Sequence, residues 1–309
     1  MATRAAEAGG RGSTVSRRPG ERARTAYFYL LPGFLIYFVF VLLPVAQTVG
    51  YSFTEWDGFS AAKWTGLKNY RDLLDDKLFL GAVGHNLVLI VFYTIFPIAL
   101  ALLLTSLLTR RSIKGMNLFR AGLFVPQVMS MVVVGVVWRW IYNPVSGPLN
   151  QVLRGAGLDA WARPWLGDPK LALPAVGAIG TWVSFGFALV LFIAGVQRID
   201  EDLYDAAKLD GANGIQQFLA ITLPALRNEV TVVLVTLMIS ALRTFDLIYV
   251  TTRGGPANRT MVVAFLLYKN AFTINRAGYA AAIAVVLTIV ILIVSYVVIT
   301  VRMRTSEEA

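Results

Sequence analysis

The 309-residue sequence contains no cysteine and a single histidine, His85. The first absence excludes disulfides, thiolate metal sites and a cysteine nucleophile. The second excludes a metal site built from several histidines. No glycine is followed by lysine, so the chain lacks a Walker A loop and cannot bind and hydrolyse ATP by that route. Charge is also scarce. Asp, Glu, Lys and Arg make up 15% of residues, against roughly 25% in a soluble domain. Apolar residues are in excess, at 57% with a mean hydropathy of +0.64. That balance excludes a disordered chain, a fibrous repeat and a soluble enzyme domain.

A membrane-spanning helix needs about 20 apolar residues, so six spans use about 120 positions. Six stretches fit: 27–49, 86–108, 118–141, 173–197, 230–250 and 279–301. They predict an all-α, polytopic membrane bundle of six transmembrane helices, with 27–301 as one transmembrane domain. Pro32, Pro44, Pro97 and Pro126 lie in or near these stretches, where neighbouring groups satisfy the freed backbone. Residues 1–26 read as a disordered basic tail, rich in Ala, Gly, Ser and Arg. The stretch 27–49 is too long for the apolar part of a cleaved signal, and no A-x-A site follows it.

The 28 basic residues outnumber the 18 acidic ones, for a net charge of +10. In a soluble protein this would point to nucleic acid. In a polytopic membrane protein it labels the cytoplasmic loops, and no nucleic-acid partner is expected. With the N-terminus inside, 15 basic residues fall inside and 11 outside on longer loops. The short loop 109–117 votes most strongly. Both termini are therefore expected in the cytoplasm, with 302–309 as a second tail. Segments 52–84 and 143–172 become external loops. Trp138, Trp140 and Tyr142 form an aromatic cluster that suits either an interfacial belt or a ligand path. The triplet Asn258-Arg259-Thr260 matches a glycosylation sequon, a pattern common by chance.

Segment 198–228 stands apart. It is polar, internal by the charge count, and reads as two short helices. Ile199, Leu203, Ala206 and Ala207 form one apolar stripe. Asp200, Glu201 and Asp202 crowd the first turn, where the helix dipole favours acids, and Gly211 is placed to end the helix. Asn213 or Gly214 starts the second helix, with Ile215, Phe218, Leu219 and Thr222 on one face. Pro224 is then expected to open the fifth span. Helices that lie on a membrane surface carry basic residues on the polar face. This one carries Asp200, Glu201, Asp202, Asp205 and Asp210, which points to a cytoplasmic protein partner.

At these residues the chain resembles a known family. Asp205-Ala206-Ala207, Gly211 four residues later, and Ile221-x-Leu223-Pro224 are similar to the EAA loop of binding-protein-dependent ABC importer permeases, with Asp205 in place of the family's Glu. Further motifs occur in family order. Tyr29-Leu30-Leu31-Pro32, Ser52-Phe53-Thr54 and Gly66-Leu67-Lys68-Asn69-Tyr70 lie early. Trp138-Arg139-Trp140-Ile141-Tyr142-Asn143-Pro144 comes next, and Phe245-Asp246-Leu247-Ile248-Tyr249-Val250-Thr251 with Gly254-Gly255-Pro256 last. Together they resemble permeases of the maltose, glycerol-phosphate and oligosaccharide type.

The resemblance implies the type I ABC importer permease fold. It also implies a second, similar permease chain, an ATPase subunit dimer, an external sugar-binding protein and a surround of membrane lipid, in a bacterial cell membrane. No cofactor is implied on this chain, ATP and Mg being on the ATPase, and no enzymatic turnover. Asp205, Ala206, Ala207, Gly211, Ile221, Leu223 and Pro224 become the ATPase-coupling residues. Gln127, Ser130, Asn143, Trp182 and Phe185 are candidates for a sugar path. Arg243 and Asp246, three apart in the fifth span, are expected to share a face there and to line the same path as an ion pair; the alternative is that they close the helix end near the surface. An ion-coupled secondary transporter remains a second reading. It would need ionisable groups inside spans and internal repeats, and Asp246 is the one acid that clearly fits. A membrane enzyme, or a peptide or phosphate permease, fits less well.

Overall fold

The computed structural model describes residues 23–108 and 115–307. Most of the basic tail and of the short loop with the strongest charge vote lie outside the described residues. The chain divides into two units, residues 1–47 and 48–309. The first is helical from Ala23 and contributes most of α1 (Tyr27–Tyr51), an apolar stretch of 25 residues. Its winding loosens to a π-helix over Phe38–Leu42, and its large apolar side chains, such as Phe28 and Phe40, are exposed.

The second unit opens with a small antiparallel hairpin. Thr54 of β1 (Thr54–Glu55) faces Trp64 of β2 (Lys63–Trp64). Helix α2 (Lys68–Asp75) follows, then α3 (Lys77–Ser106), a span of 30 residues. The predicted second span starts nine residues too late. Asp76 caps α3, its carboxylate accepting from Leu78 N at 2.8 Å, so the helix begins well before His85 and Asn86.

The third span is two helices, α4 (Met116–Val128) and α5 (Met131–Ile141), bent by 99°. Met129 and Ser130 adopt extended backbone between them. A short α6 (Pro148–Gly155) precedes α7 (Ala172–Val196). Then come α8 (Glu201–Leu209), α9 (Gly214–Ala225) and α10 (Arg227–Leu242), the last two meeting at 69°. Pro224 lies in the last turn of α9, with buried Leu226 as the joint, so the fifth span opens three residues later than its proline suggested. That span also stops early. Arg243 closes α10, and a separate short α11 (Asp246–Thr251) takes up after Thr244 and Phe245. Helices α12 (Val263–Phe272) and α13 (Ala277–Glu307) complete the chain. Among the described residues four helices are long and apolar enough to span a membrane, or up to six with each bent pair taken as one span.

Helix α7 is the central post. Gly177 and Gly180 leave room for the rings of Phe92 and Tyr93 on α3, which a Cβ at either glycine would strike. Gly186 does the same for the backbone of α4 at Leu123. Lower on α7, Ala188, Leu189, Phe192 and Ile193 pack with Leu226, Val230, Val233 and Leu237. Burial is one-sided on α13, where Leu292, Ile293 and Tyr296 remain exposed. Apolar surface of that kind suits lipid or another subunit.

Candidate functional site

The hairpin of α8 and α9 is built by local capping. Asp200 caps α8, its side chain accepting from Asp202 N at 3.1 Å. At the other end Gly211, at φ +77°, takes the left-handed conformation. Gly211 N then donates to Lys208 O at 3.0 Å and Ala212 N to Ala207 O at 2.9 Å, the paired bonds of a Schellman stop. Asn213 and Gln216 form a reciprocal capping box on α9. Across the hairpin, the hydroxyls of Tyr204 and Thr222 meet at 2.8 Å, and Gln217 Nε2 donates to Ala212 O at 2.8 Å. At its base Arg198 pairs with Glu229 at the start of α10.

This preorganised hairpin leaves α8 without a buried residue. Leu203 is 54% exposed, Leu209 90% and Ile215 73%. Asp205, Ala206 and Gly211 are exposed, while Ala207, Ile221, Leu223 and Pro224 are half-buried. Asp205 holds Lys208 at 2.7 Å. Of the predicted apolar stripe, Ile199 packs on the lower core and Ala207 is half-buried, while Leu203 and Ala206 are exposed. Tyr204 and Glu229, which brace the hairpin, were not singled out from the sequence, and Thr222 was read as part of a helix face without its partner. Their partners lie 18 to 31 residues away, beyond the reach of local periodicity.

The other predicted residues separate into those the fold brings together and those it does not. Trp182 and Phe185 line one groove of about 400 Å³ on α3 and α7, with Leu100, Leu103, Leu104, Ala178 and Thr181. The Thr181 hydroxyl is turned to the backbone, donating to Phe92 O at 2.6 Å, so the lining is apolar. Trp138 packs edge-on to Trp182 with ring centres 5.6 Å apart. Tyr142 is buried beside Trp138, whereas Trp140 is exposed. Gln127 lies one turn beyond Leu123, and Ser130 sits in the α4–α5 elbow.

Asn143 is committed elsewhere. Its side-chain oxygen accepts from Val145 N and Ser146 N, both at 3.0 Å, and ties the turn after α5. The shared face for Arg243 and Asp246 is not formed, because the helix breaks between them at Thr244 and Phe245. Among the described residues the ion pairs are Lys68–Glu55, Arg198–Glu229 and Lys208–Asp205, so Arg243 and Asp246 make no pair.

The Thr252–Pro256 motif forms a closed loop after α11. Thr252 and Thr260 hydroxyls meet at 2.7 Å, Thr260 Oγ1 donates to Gly255 O at 2.6 Å, and Gly254 at φ +81° packs against Met261. Among the described residues no three His, Asp or Glu side chains are grouped to hold a metal ion.

A set of apolar spans, two of them broken, with an exposed and locally capped helical hairpin between them defines a multi-pass membrane protein. Comparison makes the assignment specific. Residues 86–305 match the family described as "Binding-protein-dependent transport system inner membrane component", and the chain belongs to that family: it is the permease component of an ABC importer.

It is 38% identical over 271 residues to the probable ABC transporter permease protein YurN of Bacillus subtilis (strain 168), covering 87% of this chain and 92% of that one. It is 35% identical over 307 residues to the diacetylchitobiose uptake system permease protein NgcF of Streptomyces coelicolor, covering 94% and 86%. Among solved structures, a bacterial ABC transporter involved in importing the acidic polysaccharide alginate matches with a TM-score of 0.78 at 23% identity. That match covers 92% of this chain and 96% of that one and supports the fold. The ion-coupled secondary transporter finds no support in these matches.

Proposed function

We propose that this chain forms one half of the translocation path for a sugar or oligosaccharide, delivered by an external binding protein, and that a second, similar permease supplies the other half. A pair of separate ATPase subunits binds the α8–α9 hairpin. ATP and Mg belong to those subunits. Both termini and the 198–228 segment lie in the cytoplasm, the side basic residues favour.

The observation that carries the reading is the hairpin itself. It is locally capped, acidic, and leaves Leu203, Leu209 and Ile215 exposed among the described residues. Exposed apolar side chains with an acidic surround mark a protein interface. Asp205, Ala206, Ala207 and Gly211 lie on it, with Ile221, Leu223 and Pro224 shaping its return. The sugar assignment leans on the relative named for diacetylchitobiose uptake. For the path, Trp182 and Phe185 with the elbow residues Gln127 and Ser130 are the candidates retained. ATP-driven closure of the motor would push the hairpin, and the rigid spans would pass that motion outward.

The absence of cysteine makes the test direct. In an Ala206→Cys variant, a membrane-impermeant maleimide should label inverted vesicles and not intact cells. Assembly with the ATPase subunit should block the label. Labelling of intact cells, or labelling indifferent to the ATPase, would overturn the proposal.

A further inference from the structure

One polar side chain inside the second span has a task that the transport reading leaves open. Asn86 on α3 is 2% exposed and spends its whole carboxamide on two distant chain ends. Its Nδ2 donates to Ala241 O at 3.0 Å and Leu242 O at 3.3 Å, the last carbonyls of α10. Its Oδ1 accepts from Val263 N at 2.9 Å, in the first turn of α12. The neighbouring His85 Nδ1 meets Met261 O at 2.7 Å.

Terminal carbonyls and N–H groups of helices lack intrahelical partners, and inside a bilayer no water replaces them. The residues between these two ends, 243–262, include α11 and the Thr252–Pro256 loop. The middle of this segment is gripped by α5. A Cβ on Gly135 would lie 3.1 Å from Val250 Cβ, and Arg139 Nη1 donates to Val250 O at 3.2 Å.

We infer that Asn86 is a positioning residue for transport: it fixes segment 243–262 to α3 at both ends, so that the segment moves with α3 when the spans rock. The inference rests on the permease reading but adds a part to it. A polar residue buried in a span is costly and marks function by default. Here two of its three hydrogen bonds go to the end of α10 and the third to the start of α12, rather than to a ligand.

The test uses the assembled transporter in liposomes, with spin labels at Leu87→Cys and Asn258→Cys in the cysteine-free chain. Asn86→Leu keeps a branched side chain of similar shape and leaves the span apolar while removing all three bonds. It should broaden the label-to-label distance distribution and lower the maximal uptake rate at least tenfold, while the KM for sugar-loaded binding protein changes less than twofold. Asn86→Asp should be intermediate. Val263→Pro removes the donor from the other side at a first-turn position that tolerates proline, with Val262 already extended. It should also broaden the distances and slow uptake, and it carries the test if Asn86→Leu fails to accumulate in the membrane. A narrow distribution in these variants, or a broad one with undiminished uptake, overturns the inference. Loss of ATP-driven uptake in the unsubstituted chain would instead count against the permease reading, and the distance measurement would still decide the role of Asn86.

Discussion

Replacing Gly211 isolates the backbone requirement of the coupling hairpin. Its φ of +77° is left-handed, and a Cβ built there meets nothing within 4 Å. Gly211→Ala therefore adds no clash, only the intrinsic cost of that conformation, about 1 kcal/mol, which is roughly a fivefold shift in the closing equilibrium. Asn visits the left-handed region more readily, so Gly211→Asn should cost less. Gly211→Pro cannot reach this φ and deletes the N–H that bonds Lys208 O, for about 3 kcal/mol or more. Hydrogen exchange at the Ala212 amide, which bonds Ala207 O at 2.9 Å, reads the opening of this stop. Protection should fall in the order Gly, Asn, Ala, Pro, by roughly fivefold at Ala, and ATP-driven uptake should be lost at Pro with membrane insertion intact. Equal protection in the Ala and Asn variants, or an unchanged Pro variant, would refute the reasoning.

Two further outcomes follow from the geometry. Gly180→Ala places a methyl group into the Tyr93 ring, an overpacking that costs about 1–3 kcal/mol. The thermal midpoint in detergent should drop, and adding Tyr93→Ala should yield a double variant more stable than the sum of the single effects. In the loop between β1 and β2, the Asp57 carboxylate accepts from Phe59 N, Ser60 N and Ser60 Oγ, and these bonds hold its pKa below the ordinary value. A carboxyl with a depressed folded pKa stabilises its turn above the unfolded pKa, near 4. That contribution drains away as pH falls through the folded value. Trp56, whose Nε1 donates to Ser60 O at 2.8 Å, should report the loss as a fluorescence change below about pH 4, absent in Trp56→Phe and already present at neutral pH in Asp57→Asn.

What could be read from the residues depended on how local the cause was. The hairpin was legible because Asp200, Gly211 and Asn213 act on backbone groups within three residues of themselves. The apolar spans were legible because burial in lipid is a property of composition. The breaks at Met129–Ser130 and Thr244–Phe245 were not, since a change of backbone direction leaves the hydropathy of a window untouched. Asn86 was misread for a related reason. As a polar residue it marked the edge of a span, yet it sits well inside α3, and its partners are 155 to 177 residues away. The Arg243–Asp246 expectation failed at the same break, because a spacing of three places two residues on one face only while the helix continues.

The central claim is that this permease moves a sugar only when its hairpin is driven by a separate ATPase. The most direct measurement is uptake of labelled oligosaccharide into proteoliposomes holding this chain with its partner permease, ATPase subunits and sugar-loaded binding protein. Uptake should require ATP, the ATPase subunits and the binding protein together, and should vanish on Gly211→Pro. Uptake that persists without the ATPase subunits, or follows an ion gradient instead of ATP, would contradict the account.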